Sequence, residues 1–495
     1  MVLLKSSICL LAVTGAVASP PFPLSRRQST LESFIETESP IALQGVLDNI
    51  GADGALAPGA SAGIIIASPS TSDPDYFYTW TRDAAMTIAA LVEELRAGDA
   101  TLETVIQSYV DAQAELQTVD NPSGGLSDGS GLGEPKYNVD MSAFTDAWGR
   151  PQRDGPALRA SSLIAYGNYL INNDQEALAI ANIWPIVQND LAYVGQYWTG
   201  TTFDLWEEVE GSSFFTTAVQ YKALVEGDAF ATAVGGTCEA CSVAPQILCQ
   251  LQTYWDGSAI ISNVPSSGRS GIDANSIIAS LNTFDPTADC DDATFQPCSA
   301  RALANHKVYV DSFRDIYTIN SDRGAGQAAA VGRYAEDTYE GGNPWYLATT
   351  AAAELLYDAL YQWDQQGTLT ITDVSLAFFS DLVGSNATTG SFSQSSAQYQ
   401  SITSAVKTYA DGFLSVVQEY TPTDGSLAEQ FTRDTGEAAS ATLLTWSFAA
   451  FLTAIQRRNG EVPASWGSST ASAAPSECSA ATVAGTYATA AAGSW

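Results

Sequence analysis

The chain has 495 residues, 45% of them apolar, so it can bury a large core and is a globular protein. Its 20 Lys and Arg residues stand against 55 Asp and Glu, which gives a formal net charge of −35. A surface this acidic repels nucleic acid and anionic membranes, whereas a neutral polysaccharide is indifferent to it. The 11 Trp and 21 Tyr residues suit either stacking on sugar rings or an aromatic core.

The N-terminus has the pattern of a secretory signal. Lys5 supplies a positive charge, an apolar stretch follows, and Ala16-Val17-Ala18 matches a signal-peptidase site. We expect a signal peptide over residues 1–18 and a pro-segment over 19–27, which makes the protein secreted and extracellular. No later segment is long and apolar enough to cross a membrane.

From residue 30 onward the dominant pattern is helical. Ile88, Leu91 and Leu95 recur at helical spacing, and Gly98 ends that run. Similar runs start at Leu102 and at Ile402, and others lie near 30–50, 157–171, 177–195, 214–225, 271–281, 300–317, 346–363, 373–383 and 439–457. No strand–helix alternation suggests a Rossmann fold or a TIM barrel, so these helices predict an all-α domain.

Long loops rich in Gly, Pro and Asp separate the helices. They cover residues 121–156, 199–212, 256–270, 321–345 and 421–438. Loops this long in a compact domain are usually functional, so we expect the active site on one face of the helical domain. We assign 28–466 to a catalytic domain and the Ser-, Ala- and Thr-rich residues 467–495 to a tail or linker, with no further domain.

The cysteines and the histidine limit the possible chemistry. Outside the predicted signal peptide the cysteines form an even set, which favours disulfides: Cys238, Cys241, Cys249, Cys290, Cys298 and Cys478. The first pair could also be a redox motif or half a zinc site, and the pairing cannot be read from the sequence. The single histidine, His306, lies at a predicted helix end, where we expect a structural role. Acid–base chemistry must therefore come from carboxyl groups, and we expect no metal and no cofactor.

Two glutamates stand in unusual settings. Adjacent glutamates such as Glu207 and Glu208 are usually exposed surface, but Trp206 and Val209 flank this pair. A carboxyl group in apolar surroundings beside another acid holds its proton more tightly, and glycoside hydrolysis needs a protonated carboxyl of that kind. Glu429 precedes the last helix, where on local evidence alone it is a favourable charge at a helix N-terminus.

Aromatic, arginine and acidic residues also cluster at helix-connecting loops. One cluster contains Trp80, Arg82 and Asp83, although Asp83 could simply cap a helix. Similar clusters lie over residues 148–155 and 332–345. Each could be a loop held by ion pairs, but a stacking face, a forked donor and an acceptor together suit sugar hydroxyls.

These motifs resemble those of the fungal glucoamylases of glycoside hydrolase family 15, over about residues 29–478. The matching pieces are residues 76–83, 148–156 and 204–208, Asp337-Thr338-Tyr339, Asn343-Pro344-Trp345 and Glu429-Gln430. The resemblance implies an (α/α)6 barrel of six inner and six outer helices, with loops forming a pocket at one end. It also implies removal of glucose from the non-reducing ends of starch, glycogen and maltooligosaccharides. The resemblance further implies cleavage of α-1,4 bonds and, more slowly, of α-1,6 bonds, with inversion of the anomeric configuration to give β-glucose.

The same resemblance assigns residue roles. Glu207 would be the general acid and Glu429 the general base. The substrate-binding residues would be Tyr76, Trp80, Arg82, Asp83, Trp148, Asp204, Leu205, Trp206, Glu208, Arg333, Asp337, Tyr339, Trp345 and Trp446. The implied disulfides are Cys238–Cys241, Cys249–Cys478 and Cys290–Cys298. The sequon at Asn386 would carry a glycan, and we expect a monomer.

Two departures from the family pattern stand out. Many relatives carry a starch-binding domain after a Ser/Thr-rich linker, and the chain stops where that linker would begin, so we expect good activity on soluble dextrins and poor activity on granular starch. Phe77 and Phe144 stand where relatives often have Tyr.

Two other classes of function compete with this interpretation. One is another (α/α)6-barrel carbohydrate enzyme, such as a trehalase or a glucoside phosphorylase, and a phosphorylase would need an anion site in place of a base. The other is a non-catalytic sugar-binding protein, which would keep the Trp and Arg clusters. The joint presence of Glu207 and Glu429 favours a hydrolase.

Overall fold

A computed structural model describes residues 30–491 and 493–495. The predicted signal peptide and pro-segment lie outside the described residues. This part of the chain contains thirteen helices of eight or more residues. They are α1 (Leu31–Asp48), α2 (Thr81–Ala97), α3 (Glu103–Leu116), α4 (Asp154–Asn172), α5 (Trp184–Tyr197), α6 (Phe214–Ala233), α7 (Ala244–Gln252), α8 (Ala274–Asn282), α9 (Ala300–Asp311), α10 (Tyr346–Gln366), α11 (Leu376–Val383), α12 (Ala397–Tyr420) and α13 (Thr445–Asn459).

Six helices form a closed inner ring. Helix α2 packs on α4, α4 on α6, α6 on α8, α8 on α10 and α10 on α13, which returns to α2. Each inner helix carries an outer partner, namely α3, α5, α7, α9, α12 and α1 in that order, and α11 packs between α9 and α12. This arrangement confirms the predicted (α/α)6 barrel.

The inner helices are apolar on more than one face because both layers of the barrel cover them. In α10 the run from Tyr346 to Ala359 is buried throughout. The small side chains of Ala351, Ala352 and Ala353 lie in this run, where they let neighbouring helices approach closely. Because such a helix is covered on all sides, its buried positions also include polar residues, namely Thr350, Glu354 and Asp358.

Several predicted helices differ from the structure in their bounds. Asp273 caps α8 through its side chain, so that helix starts later than the predicted 271. Helix α9 ends at Asp311 and not near 317, and α13 begins at Thr445 because residues 438–439 form a strand instead. The predicted run 177–195 contains a π-helical turn over Ala179–Ile183, and α7 was not predicted.

Short antiparallel strands tie the loops at one end of the barrel. The pairs near the inner-helix N-termini are β1 (Thr79–Trp80) with β2 (Lys136–Tyr137), β3 (Thr202–Phe203) with β4 (Glu210–Ser213) and β5 (Asn263–Val264), and β8 (Gln430–Phe431) with β9 (Ala438–Ala439). A further pair, β6 (Thr368–Ile371) with β7 (Gly390–Ser393), follows α10.

Three disulfides join Cys238 to Cys241, Cys249 to Cys478 and Cys290 to Cys298, the pairs that the resemblance implies. Beyond Cys478 the chain runs over the outer helices, where the Val483 amide donates to the Gly195 carbonyl. None of the helices in the described part of the chain is long and apolar enough to span a membrane.

His306 lies in the core on α9. It is fully buried, its Nε2 is 2.9 Å from the carbonyl oxygen of Ala352, and the rings of Phe378, Tyr409 and Phe413 surround it. Burial lowers its pKa to about 4. These contacts agree with the structural role expected for this histidine.

Candidate active site

A pocket of about 470 Å³ opens where the inner helices begin. Its wall is formed by residues of the loops that lead into the inner helices and of the first turns of those helices, where the long loops were expected to place a site. The lining residues are Ala67, Tyr76, Trp80, Arg82, Asp83, Leu205, Trp206, Glu207, Arg333, Trp345, Glu429, Leu444 and Trp446. The N-terminal ends of α2, α10 and α13 therefore lie at this pocket, where unpaired helix N–H groups favour negative charge.

Glu207 lies in the turn between β3 and β4. Its φ is +65°, a left-handed conformation that costs a non-glycine residue roughly 1–2 kcal/mol, and such strain is often found at functional sites. The turn is closed by the Glu207 amide, which donates to the Asp204 carbonyl at 2.8 Å. This conformation directs the side chain into the pocket, where it is 18% exposed.

The two oxygens of the Glu207 carboxyl have different surroundings. Oε1 accepts hydrogen bonds from Trp80 Nε1 and Gln152 Nε2, both at 2.8 Å, and Arg82 Nη2 lies 3.8 Å away. Within the described part of the chain, no hydrogen bond reaches Oε2. The group is thus fixed through one oxygen, and the other is available to a bound molecule.

The carboxyl group of Glu429 is buried, in contrast to the partly exposed carboxyl group of Glu207. It is 1% exposed, and its Oε2 accepts hydrogen bonds from the Ser440 hydroxyl and from Gln430 Nε2, the latter at 3.0 Å. Burial raises the pKa of Glu429 to about 7, against the hydrogen bonds of Ser440 and Tyr76 and the charge of Arg333, which lower it. Such a carboxylate is desolvated and therefore a strong proton acceptor, and it still faces the pocket.

Arg82 and Asp83 lie in the first turn of α2, at the base of the pocket. Arg82 Nη1 donates to Gln152 Oε1 at 2.8 Å and to Asp154 Oδ2 at 2.9 Å, which orients the guanidinium. Burial raises the pKa of Asp83 to about 6, although the charge of Arg82 opposes this. A fixed donor fork beside a carboxyl suits the hydroxyls of a sugar that ends in this pocket.

Arg333 forms the centre of a second charged cluster. It makes two hydrogen bonds to Asp337, at 2.7 and 2.8 Å, and one to Glu208 Oε1 at 3.0 Å. Glu208 also accepts from Arg269 at 2.6 Å and from the Tyr334 hydroxyl. Burial alone would raise the pKa of Glu208, but the charges of Arg333 and Arg269 and these hydrogen bonds hold it below its usual value. Glu208 is therefore an ionised partner of the two arginines.

Three tryptophans form the aromatic wall. The ring of Trp206 lies 5.4 Å from that of Trp345 in an edge-to-face arrangement and 6.3 Å from that of Trp446, stacked. Trp206 is held by a hydrogen bond from Nε1 to Asp273 Oδ1 at 2.8 Å. The Tyr76 and Tyr339 hydroxyls lie 2.9 Å apart, next to Glu429.

Eleven of the sixteen catalytic and binding residues named from the sequence line the pocket itself. Five do not: Trp148, Asp204, Glu208, Asp337 and Tyr339. Asp204 is completely buried, and its carboxylate accepts from the amides of Glu208 and Val209 and from Asn263. These bonds hold the loop that carries Glu207, and the expected contact of Asp204 with substrate stays a prediction.

Sequence reasoning missed several residues of the site. Ser440 follows Glu429 by eleven residues, and only the β8–β9 hairpin, in which Gln430 pairs with Ala439, returns it to that carboxylate. Asp273 was not singled out, although it both caps α8 and binds Trp206. Neither residue has a local motif, so no signal in the sequence could have placed them.

Comparisons with known proteins identify the family of the chain. The family model described as "Glycosyl hydrolases family 15" matches residues 40–456. A curated protein named "Glucoamylase", from Neurospora crassa, is 56% identical over 503 residues, which cover 100% of this chain and 80% of the relative.

Solved structures match over the whole barrel. The glycoside hydrolase family 15 glucoamylase from Hypocrea jecorina has 55% identity and a TM-score of 0.91, with 93% of this chain and 78% of that chain covered. The glucoamylase from Saccharomycopsis fibuligera has 33% identity and a TM-score of 0.81, with 88% and 96% covered. Since sequence and structure agree over nearly the full length, the chain belongs to glycosyl hydrolase family 15.

Proposed function

We propose that the protein is a glucoamylase that removes glucose from the non-reducing ends of starch, glycogen and maltooligosaccharides. It cleaves terminal α-1,4 bonds and, more slowly, α-1,6 bonds, and it releases β-glucose by inversion. Relatives named glucoamylases share more than half of its sequence, which supports this activity. The chain then needs neither cofactor nor metal, because two carboxyl groups suffice for the reaction.

The observation that carries the proposal is the contrast between two carboxyl groups that line one pocket. Glu207 is held through Oε1 alone and is partly exposed, so its free Oε2 can reach the glycosidic oxygen of a bound substrate. Glu429 is buried and held by hydrogen-bond donors, so it is suited to take a proton from water. An acid and a base in one pocket are the two groups that an inverting glycosidase requires.

In the proposed reaction the bond between the anomeric carbon and the glycosidic oxygen breaks as Glu207 protonates that oxygen. The bonding electrons leave with the oxygen, and positive charge develops on the sugar ring. Glu429 accepts a proton from a water molecule that attacks the opposite face of the ring. The attack produces the β-anomer, with Glu207 ionised and Glu429 protonated at the end of the step.

Arg82 and Asp83 account for the proposed preference for chain ends. Both line the pocket in the first turn of α2, and a fixed guanidinium with an adjacent carboxyl can bind the hydroxyls of a terminal glucose. A pocket that such residues close at one end would accept a chain end and would exclude the middle of a chain.

We also propose that residues 1–18 are a cleaved signal peptide and 19–27 a pro-segment, and that the protein acts outside the cell as a monomer. The three disulfides support an oxidising compartment. Asn386 is exposed, as a glycosylated residue must be. Residues 28–466 then form the catalytic domain, and 467–495 a tail that lies against it.

The test uses purified protein with maltotriose and with maltotriose whose non-reducing 4-hydroxyl is methylated. An exo-acting enzyme releases glucose from the first substrate and none from the second, at a rate that does not depend on added phosphate. Equal cleavage of both substrates contradicts the exo-specificity. A strict requirement for phosphate would identify a phosphorylase.

A further inference from the structure

Lys136 is a buried lysine beside the catalytic pocket whose charge lies among aromatic rings. It is 1% exposed and pairs with Trp80 across the β1–β2 ladder. Its Nζ lies 3.5 Å from the ring centroid of Trp148, 4.0 Å from that of Phe144, 4.2 Å from that of Tyr78 and 4.5 Å from that of Trp80. Four aromatic faces at these distances form a cage for a cation.

The cage takes the place of an ion pair. Among the described residues, no carboxylate lies within 4 Å of Nζ, which is the limit for a salt bridge. The charged groups that face it from further away are Glu207, Asp75 and Asp146, with Arg150 as a like charge. Burial lowers the pKa of Lys136 to about 8, so at acidic and neutral pH it remains a cation that is stabilised mainly by the rings.

One ring of the cage also contacts the proposed general acid. Trp80 receives the Lys136 charge on its face and donates from Nε1 to Glu207 Oε1 at 2.8 Å. A cation on the face of an indole draws electron density from the ring and makes its N–H a better donor. The donor is directed at the oxygen that becomes negative when Glu207 gives up its proton.

We propose that Lys136 is a positioning residue for the reaction, which acts through Trp80 to stabilise the carboxylate that Glu207 becomes after it protonates the leaving group. The proposal rests on the proposed role of Glu207 as general acid. The cage also orders Trp148, which is 37% exposed and packs against Trp80 with centroids 6.2 Å apart.

This role makes a prediction that depends on the leaving group. Cleavage of maltotriose expels a sugar oxygen that needs a full proton, whereas fluoride leaves α-glucosyl fluoride with little protonation. Loss of the Lys136 charge should therefore slow the first reaction and spare the second. A purely structural lysine would affect both substrates alike, because both occupy the same pocket.

The test compares Lys136→Met, which keeps the length and apolar stem, with Lys136→Arg, which keeps the charge on an aromatic face. We expect Lys136→Met to lower kcat on maltotriose about tenfold with KM nearly unchanged, while kcat on α-glucosyl fluoride stays close to that of the parent enzyme. Lys136→Arg should restore most of the maltotriose rate. An equal loss on both substrates, or no loss on either, would overturn the proposal.

Two further measurements keep the result interpretable. If Lys136→Met does not fold by circular dichroism, Lys136→Gln replaces it with the same expected ratio of rates. Glu207→Gln tests the proposed function separately, because it should lose maltotriose hydrolysis whatever Lys136 does. If Glu207→Gln is inactive but Lys136→Met cleaves maltotriose at the parent rate, only the role of Lys136 fails. If Glu207→Gln is active, the proposed function fails as well.

Discussion

The two ends of the inner barrel both contain buried charged groups, but only one end has the arrangement of a catalytic site. At the end where the helices begin, Glu207 keeps an oxygen that no described group binds. At the other end, Arg457 donates to both oxygens of Glu93, at 2.6 and 2.8 Å, and Thr453 donates to Glu354 at 2.8 Å. Trp466 then covers this end and donates to the Thr283 carbonyl.

Cavity size does not distinguish the two ends. The cavity at the covered end measures about 850 Å³, which exceeds the 470 Å³ of the pocket, and Trp446 borders both. The difference lies in helix polarity and in pairing. Asp83 lies in the first turn of α2, where a helix N-terminus favours a carboxylate, whereas Arg457 lies in the last turn of α13, where a C-terminus favours a cation. The candidate active site is therefore at the end of the barrel where charged groups remain available to a substrate.

The largest expected effect compares two buried glutamates, one at each end. Glu429→Gln removes the proposed base with almost no change of shape, so kcat on maltotriose should fall by about 10²–10⁴-fold. Glu354→Gln, whose parent residue is 5% exposed, should leave kcat unchanged. Initial rates of glucose release measure both. Similar losses in the two variants would mean that burial, and not chemistry, explains the requirement for Glu429.

The second prediction concerns stability at the covered end. Arg457→Met leaves Glu93, Glu354 and Asp358 without their buried cation, so the free energy of unfolding should fall by about 3–5 kcal/mol. The folded fraction should retain its kcat, because none of these groups lines the pocket. Denaturant unfolding followed by fluorescence measures the first effect, and a kcat that falls in proportion to stability would contradict the separation of the two ends.

The same variant should be sensitive to pH. Burial raises the pKa values of Glu354 and Asp358, and the charge of Arg457 opposes that rise. A carboxyl with a raised pKa binds its proton more tightly in the folded state, so stability falls as pH rises from the ordinary carboxyl range through the raised pKa. Loss of Arg457 steepens this fall. The destabilisation should therefore be larger at pH 8 than at pH 4, and an equal loss at both would contradict the assignment.

The smallest effect concerns Ser440, at the open end of the barrel, where the inner helices begin. Its hydroxyl lowers the pKa of Glu429, so Ser440→Ala should raise that pKa further above its ordinary value. Because the base must be ionised, the acid limb of the kcat/KM profile should move to higher pH by about 0.5–1 unit. Ser391→Ala, on the exposed strand β7, is the matched control. A shift to lower pH would show that Ser440 does not stabilise the ionised form.

Much of the open end could be predicted from the sequence because its residues form local motifs. Trp80, Arg82 and Asp83 adjoin at the start of α2, and Glu207 and Glu429 each lie in a motif that resembles the family. The helical spacing of Ile88, Leu91 and Leu95 likewise predicted α2. Local patterns are therefore sufficient where a single turn of chain supplies the function.

Contacts between distant segments could not be predicted. Lys136 reaches Trp80 only through the register of β1 and β2, and Ser440 reaches Glu429 only through the β8–β9 hairpin. Asp204 is completely buried and does not line the pocket, whereas its neighbours Trp206 and Glu207 do. Tertiary hydrogen bonds decide to which side of a loop an acidic side chain points. The spacing of residues in the sequence does not predict these bonds.

The most direct test of the central claim is the configuration of the first glucose released from maltotriose, followed by proton NMR of the anomeric signal. If Glu207 protonates the leaving group while Glu429 activates water on the opposite face, the early product is β-glucose alone, and the α-anomer grows in only by mutarotation. Early α-glucose would show a retaining reaction and would contradict the roles assigned to both carboxyl groups.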